Sequence, residues 1–131
     1  MILIMKWNAI QKYYFILLII HFIHIIEELL GNVYFIDSIY GGLKWFLVIN
    51  ISLWIIPLII FFLEDKKYYY KLILCYAVIM VLDGLDHIIK LIIMQKSYEG
   101  GLLTGIALLI IGIIIIKKII DQKKGKETNR K

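Results

Sequence analysis

Cysteine is almost absent from this sequence: Cys75 is the only one. That excludes an internal disulfide and leaves no cluster of thiolates to hold a metal. Proline occurs once, at Pro57, inside an apolar run where a membrane bundle tolerates it as a local kink. No small-residue cleavage site follows the first apolar stretch, so that stretch reads as an uncleaved anchor rather than a removable signal peptide. There is no internal repeat and no sign of a second domain. Acidic residues are in deficit, 10 against 15 Lys and Arg, giving a formal charge of +5. The basic residues are not interleaved with aromatics on any face, which argues against a nucleic-acid partner. They flank the apolar runs, where positive charge sets membrane topology.

What the chain has in quantity is apolar side chain, 62% of 131 residues, with a mean hydropathy of +0.87. A water-soluble domain of this size has too much surface for its volume to hide that much. The lipid bilayer is therefore the expected surroundings, and the fold class is an all-α, polytopic four-helix bundle. A helix of roughly 20 apolar residues crosses a hydrocarbon core of about 30 Å. Four such spans are expected near residues 13–30, 44–63, 69–94 and 101–116. Gly31-Asn32 ends the first, and Glu64-Asp65-Lys66-Lys67 forms a polar turn after the second. Residues 1–120 form the membrane domain, and residues 121–131 read as a disordered basic tail. Twelve of the 15 Lys and Arg residues fall on the side that carries both termini, which places the N- and C-termini in the cytoplasm of a multi-pass cell-membrane protein. Trp7, Trp45 and Tyr68-Tyr69-Tyr70 read as an aromatic belt at the membrane surfaces.

Against this background the segment HFIHIIEELL, residues 21–30, is out of place. At a rise of about 1.5 Å per residue, Glu28 lies roughly 3 Å and His21 about 14 Å below Leu30. On the third span, His87 lies about 10 Å and Asp83 about 16 Å below Met94, and Asn50 is about 9 Å in from Lys44. All these groups fall in the outer half of the membrane, on helices that can touch. At about 100° per residue, His21, His24 and Glu28 lie within roughly 60° of one another, with Glu27 about 60° further round and nearer the rim. Asp83, Asp86, His87 and Lys90 fall within about 100° on the third span. An ionised group at mid-helix costs about 2.5–3.5 kcal/mol on insertion, so the two polar stripes are expected to face each other.

A His and a carboxylate three or four residues apart on a helix point into the same space. Bundles that hold two metals use the reversed order, Glu-x-x-His, with further carboxylates from facing helices. Here His24-x-x-Glu27-Glu28 is matched by Asp83-x-x-Asp86-His87. The candidate ligands are His21, His24, Glu27, Glu28, Asp83, Asp86 and His87, for one or two divalent ions. Zinc, iron and manganese all suit such a set, and a metal with an open position polarises a carbonyl or phosphoryl group. Without a metal, Glu28, His24 and Asp86 can serve as general acid and base. The structural alternative is polar pairing between helices. Lys90 then neutralises Asp86 or Asp83, Asn50 acts as interhelical glue, and Gly101-x-x-x-Gly105 with Gly112 permits close packing of a fourth span that carries no buried charge.

These residues carry a resemblance. HIIEE at residues 24–28 resembles the signature of the HXXEE-domain family of small bacterial integral membrane proteins. LVINISLW around Asn50 looks like that family's second-span asparagine segment, and DGLDHI around His87 looks like its later histidine motif. SYEGGLLTG, with Tyr98 at its start, is similar to the family's Tyr-x-Pro-Gly-x-x-Thr stretch. Gly100 stands where the family often has Pro, and Asp83 where Asn is expected in many relatives. The resemblance spans roughly residues 15–116. It implies a multi-span fold and a metal site, and it brings no settled activity.

The leading expectation is a membrane-embedded, metal-dependent enzyme, a hydrolase or lipid-modifying protein acting on a lipid or small amphiphile. An ion or proton-coupled carrier is the second reading, because intramembrane His and Asp chains mark proton relays. The cytoplasmic halves lack matching polar residues, so a continuous path would need a homo-oligomer. A structural subunit held together by its polar cluster is the third.

Overall fold

The computed structural model describes residues 7–32, 41–62, 68–94 and 100–128. They form four helices: α1 (Ala9–Leu30), α2 (Leu43–Phe62), α3 (Tyr69–Met94) and α4 (Leu102–Thr128). Each is long and apolar enough to cross a membrane. α4 packs along α3 and α1, while α2 lies against α1 and touches α3. The expected turn at residues 64–67 and Tyr98 lie outside the described residues.

Two helix boundaries differ from the sequence expectation. α1 starts at Ala9 rather than near Tyr13, because Asn8 and Gln11 close a capping box. The Asn8 amide donates to Gln11 Oε1 and the Gln11 amide to Asn8 Oδ1, both at 2.9 Å, an arrangement worth about 1 kcal/mol. α4 does not stop near Ile116. It continues to Thr128, so residues 121–128 extend the helix instead of forming a disordered tail. Lys, Gln and Glu are good helix formers, and a solvated Lys-rich segment can prolong a helix already nucleated in the bundle.

At the other end of α1, Asn32 adopts the left-handed conformation (φ 53°). Gly31 has an ordinary helical φ of −78°, and its missing side chain serves a different need. A Cβ there would stand 2.5 Å from the Gly100 Cα, so α1 and the approach to α4 touch backbone to backbone. α3 and α4 meet in the same way. A Cβ on Gly84 would collide with the Gly105 carbonyl oxygen, and one on Gly112 would lie 2.6 Å from Val81 Cγ2. Small residues at such crossings let helix backbones approach, and packing is what holds helices together in lipid.

The apolar interior contains Tyr14, Leu17, Ile73, Met80, Leu108 and Ile115, all buried. α1 is fastened to α2 by two side chains, with Tyr14 Oη donating to the Pro57 carbonyl at 2.8 Å and Trp54 Nε1 to the Leu18 carbonyl at 2.9 Å. Trp45 and Tyr68 are exposed, as a belt requires, but Tyr69 is buried. Trp7 packs on Phe15 and Phe61, with centroids 5.0 and 5.3 Å away, so it closes the interior at that end.

Every helix exposes apolar side chains: Ile23, Ile56, Ile89 and Ile110 are each 48–57% exposed. Among the described residues the buried polar side chains are His21, His24, Glu28, Asn50 and His87. Polar inside and apolar outside is the distribution that a lipid environment selects.

Candidate metal centre

Three of those buried groups converge near one end of the bundle. His24 and Glu28 sit one turn apart on α1, and His87 faces them from α3. Glu28 Oε1 lies 3.6 Å from His24 Nε2 and 3.3 Å from His87 Nε2. The three ligand atoms are within 4.8 Å of one another. The two imidazoles cross at 85° with centroids 4.9 Å apart, and both Nε2 atoms turn toward the same carboxylate. None of the three residues is more than 2% exposed.

The convergence fits a divalent ion. Nitrogen and oxygen ligands at about 2.0–2.2 Å in a tetrahedral shell stand roughly 3.3–3.5 Å from one another, close to the 3.3 and 3.6 Å between Glu28 Oε1 and the two imidazoles. Glu28 Oε2 is buried with no hydrogen-bond partner among the described residues. Buried polar atoms in that state are rare in folded chains. The donors are two imidazoles and one carboxylate, suited to zinc, iron or manganese.

Asp83 borders the triad. Its Oδ2 is 3.1 Å from His24 Nε2, and its side chain is 28% exposed where that of His24 is 1% exposed. Asp83 is thus the edge at which this buried group meets the outside.

Glycine shapes the other wall. Gly101 has φ +88°, a conformation that side chains rarely adopt, and a Cβ there would lie 2.7 Å from His87 Cε1 and 2.9 Å from both Glu28 Cγ and His24 Cε1. A Cβ on Gly105 would come within 3.1 Å of His87 Cδ2. The Gly101-x-x-x-Gly105 pattern therefore allows close packing, and what it packs against is the site itself.

The remaining candidates take other places. His21 is buried one turn further from the end of α1, where its Nδ1 is 2.6 Å from Tyr76 Oη of α3. Glu27 turns to α4: its Oε2 accepts from the Thr104 amide at 3.1 Å and from the Thr104 hydroxyl in a shorter contact. It is not in the triad. Asp86, expected as an acid–base group and ligand, is 51% exposed on its side chain and paired with Lys90 Nζ at 2.6 Å. It sits about 100° round the helix from His87, too far to share the inward face. Asn50 donates to the Phe46 carbonyl of its own helix at 3.0 Å instead of bridging helices.

Three participants were not singled out from the sequence as site residues: Thr104, whose Oγ1 lies 2.8 Å from His24 Nδ1; Tyr76; and Gly101 as a wall. Thr104 stands at the first turn of α4, where backbone amides lack partners inside the helix. That is a usable signal, although nothing in the sequence pairs it with Glu27.

Compared with family models, curated proteins and solved structures, the chain matches none of them.

Proposed function

We propose that this chain is a multi-pass membrane enzyme that holds a divalent metal ion on His24, Glu28 and His87 and acts on a lipid or small amphiphilic substrate, as a hydrolase or lipid-modifying protein. The observation that carries the reading is the buried approach of one carboxylate oxygen to two imidazole nitrogens at 3.3 and 3.6 Å. A divalent ion bound there supplies Lewis-acid polarisation of a carbonyl or phosphoryl oxygen and an activated water. The chain's own groups do the rest. Burial keeps bulk water from the ligands, and Asp83, part-exposed beside His24, gives a substrate its polar point of entry and can hold a proton there. The resemblance of HIIEE, DGLDHI and SYEGGLLTG to the HXXEE-domain family supports the multi-span fold and the metal site, and carries no activity.

Protein purified in detergent is expected to carry a stoichiometric divalent ion, and His24→Ala and His87→Ala are each expected to lose it. Elemental analysis that finds no ion in the parent chain, unchanged in both variants, removes the metal centre. A structural reading draws on the same contacts, since His24–Asp83, His21–Tyr76 and Glu27–Thr104 each tie one helix to another. Joint replacement of His24 and His87 separates the two. A folded, ion-free bundle favours the enzyme, and an unfolded one favours the structural subunit.

The skew of Lys and Arg supports a cytoplasmic side for both termini, and the triad then lies toward the opposite surface. A reporter active only in the cytoplasm and fused after Lys131 is expected to be active. An inactive fusion, with the same reporter active when placed in the loop between α1 and α2, reverses the orientation.

A further inference from the structure

Glu27 and Thr104 lie beside the triad without joining it, and with Glu27 ionised the hydrogens between them have one consistent arrangement. Glu27 Oε2 receives the backbone amide of Thr104 at 3.1 Å, so that oxygen is an acceptor. The Thr104 hydroxyl is in close contact with the same oxygen, and two acceptors at that range repel, so the hydroxyl proton points to Glu27. A second acceptor, the Gly101 carbonyl, lies 3.4 Å from Thr104 Oγ1. Whichever of the two receives that proton, the threonine oxygen offers only lone pairs to His24. His24 Nδ1, 2.8 Å away, must therefore be the donor.

We propose that Thr104 and Glu27 are positioning residues that keep the His24 proton on Nδ1 and so reserve Nε2 as the metal-binding nitrogen. The inference rests on the metal-centre reading for its purpose but not for its geometry. A competing arrangement exists, because Asp83 Oδ2 lies 3.1 Å from His24 Nε2 and would welcome the proton there. The Glu27–Thr104 pair supplies the opposing pull from the other side of the ring. A ligating histidine whose second nitrogen donates to a carboxylate or its relay has its tautomer and ring orientation fixed, and losing such a partner typically costs 10–100-fold in metal affinity. The hydroxyl links an anion on α1 back to an imidazole on α1 through α4, so the ring is oriented only when α4 is seated.

The test uses the full chain in detergent with 15N-labelled histidine, metal-free and at fixed pH, together with zinc titration. The parent and Thr104→Ser are expected to show a proton on His24 Nδ1. Thr104→Val, similar in shape but without the hydroxyl, is expected to move the proton to Nε2 beside Asp83 and to bind zinc about 10–100-fold more weakly, with Thr104→Ser restoring binding. A bare Nδ1 in the parent overturns the proposal, as does a valine variant with the parent's histidine spectrum or zinc affinity. Should the valine variant fail to fold, the parent and serine spectra still decide. Should the parent bind no zinc, the metal centre falls, and the Nδ1 proton still tests the relay.

Discussion

Glu28→Gln is expected to leave the helical bundle intact and to weaken zinc binding by more than the roughly 10–100-fold that follows loss of an outer partner. The reason is positional. Glu28 supplies the only carboxylate of the triad, and its Oε1 lies beside the Nε2 atoms of both His24 and His87. Glutamine preserves the shape and the packing against Gly101 but removes the negative charge that offsets a dication in a buried site. Coulomb attraction there is several-fold stronger than in water, so the charge matters more than the loss of one ligand atom suggests. Glu28→Asp withdraws the carboxylate by one methylene and should fall between glutamine and the parent. Zinc titration of detergent-purified protein, with circular dichroism to check the fold, measures the effect. A glutamine variant that binds zinc as the parent does excludes Glu28 as an ionised ligand.

Gly101→Ala is expected to damage both stability and the site. Backbone at φ +88° costs of order 1–3 kcal/mol for a residue with a side chain. The new methyl also meets His87, Glu28 and His24 at 2.7–2.9 Å, and overpacking of that kind costs about another 1–3 kcal/mol. Gly42 provides the control. It too has positive φ, +101°, but a Cβ there meets nothing within 4 Å. Gly42→Ala should therefore show the backbone cost alone and retain metal. Thermal unfolding of the two variants separates strain from collision. Equal losses, with metal binding kept in both, would show that Gly101 does not wall the site.

Much of this arrangement was legible in the residues. Long apolar runs gave the four helices, because in lipid every backbone amide must be satisfied within its own segment. The facing of α1 and α3 followed from helical spacing: His24 and Glu28 are one turn apart, and Asp83 and His87 are one turn apart on the opposing helix. Spacing also misled. Asp86 belongs to the same motif as His87 but projects away, and Lys90 satisfies it locally. A motif groups residues that a helix then distributes over different faces. The part of α4 was hidden for another reason. Thr104 ends the Tyr-x-Pro-Gly-x-x-Thr-like stretch, but it stands in a charge-free span, and its importance comes from Glu27, 77 positions earlier. The helix ends were misjudged where polar residues serve as helix formers or caps: Asn8 and Gln11 extend α1 forward, and the lysines after Ile116 prolong α4.

That separation of 77 positions has a consequence for biosynthesis. At roughly 5–20 residues per second, Glu27 waits about 4–15 s before Thr104 of α4 is made. During that interval Glu27 and His24 have no Thr104 to bond, and the glycine wall behind them is missing. Until α4 is made, the emerging chain must keep its acids and imidazoles near water, in the insertion machinery, or against α3. The helix made after the other three is the one that lets the first settle, which ties closure of the polar interior to the arrival of α4.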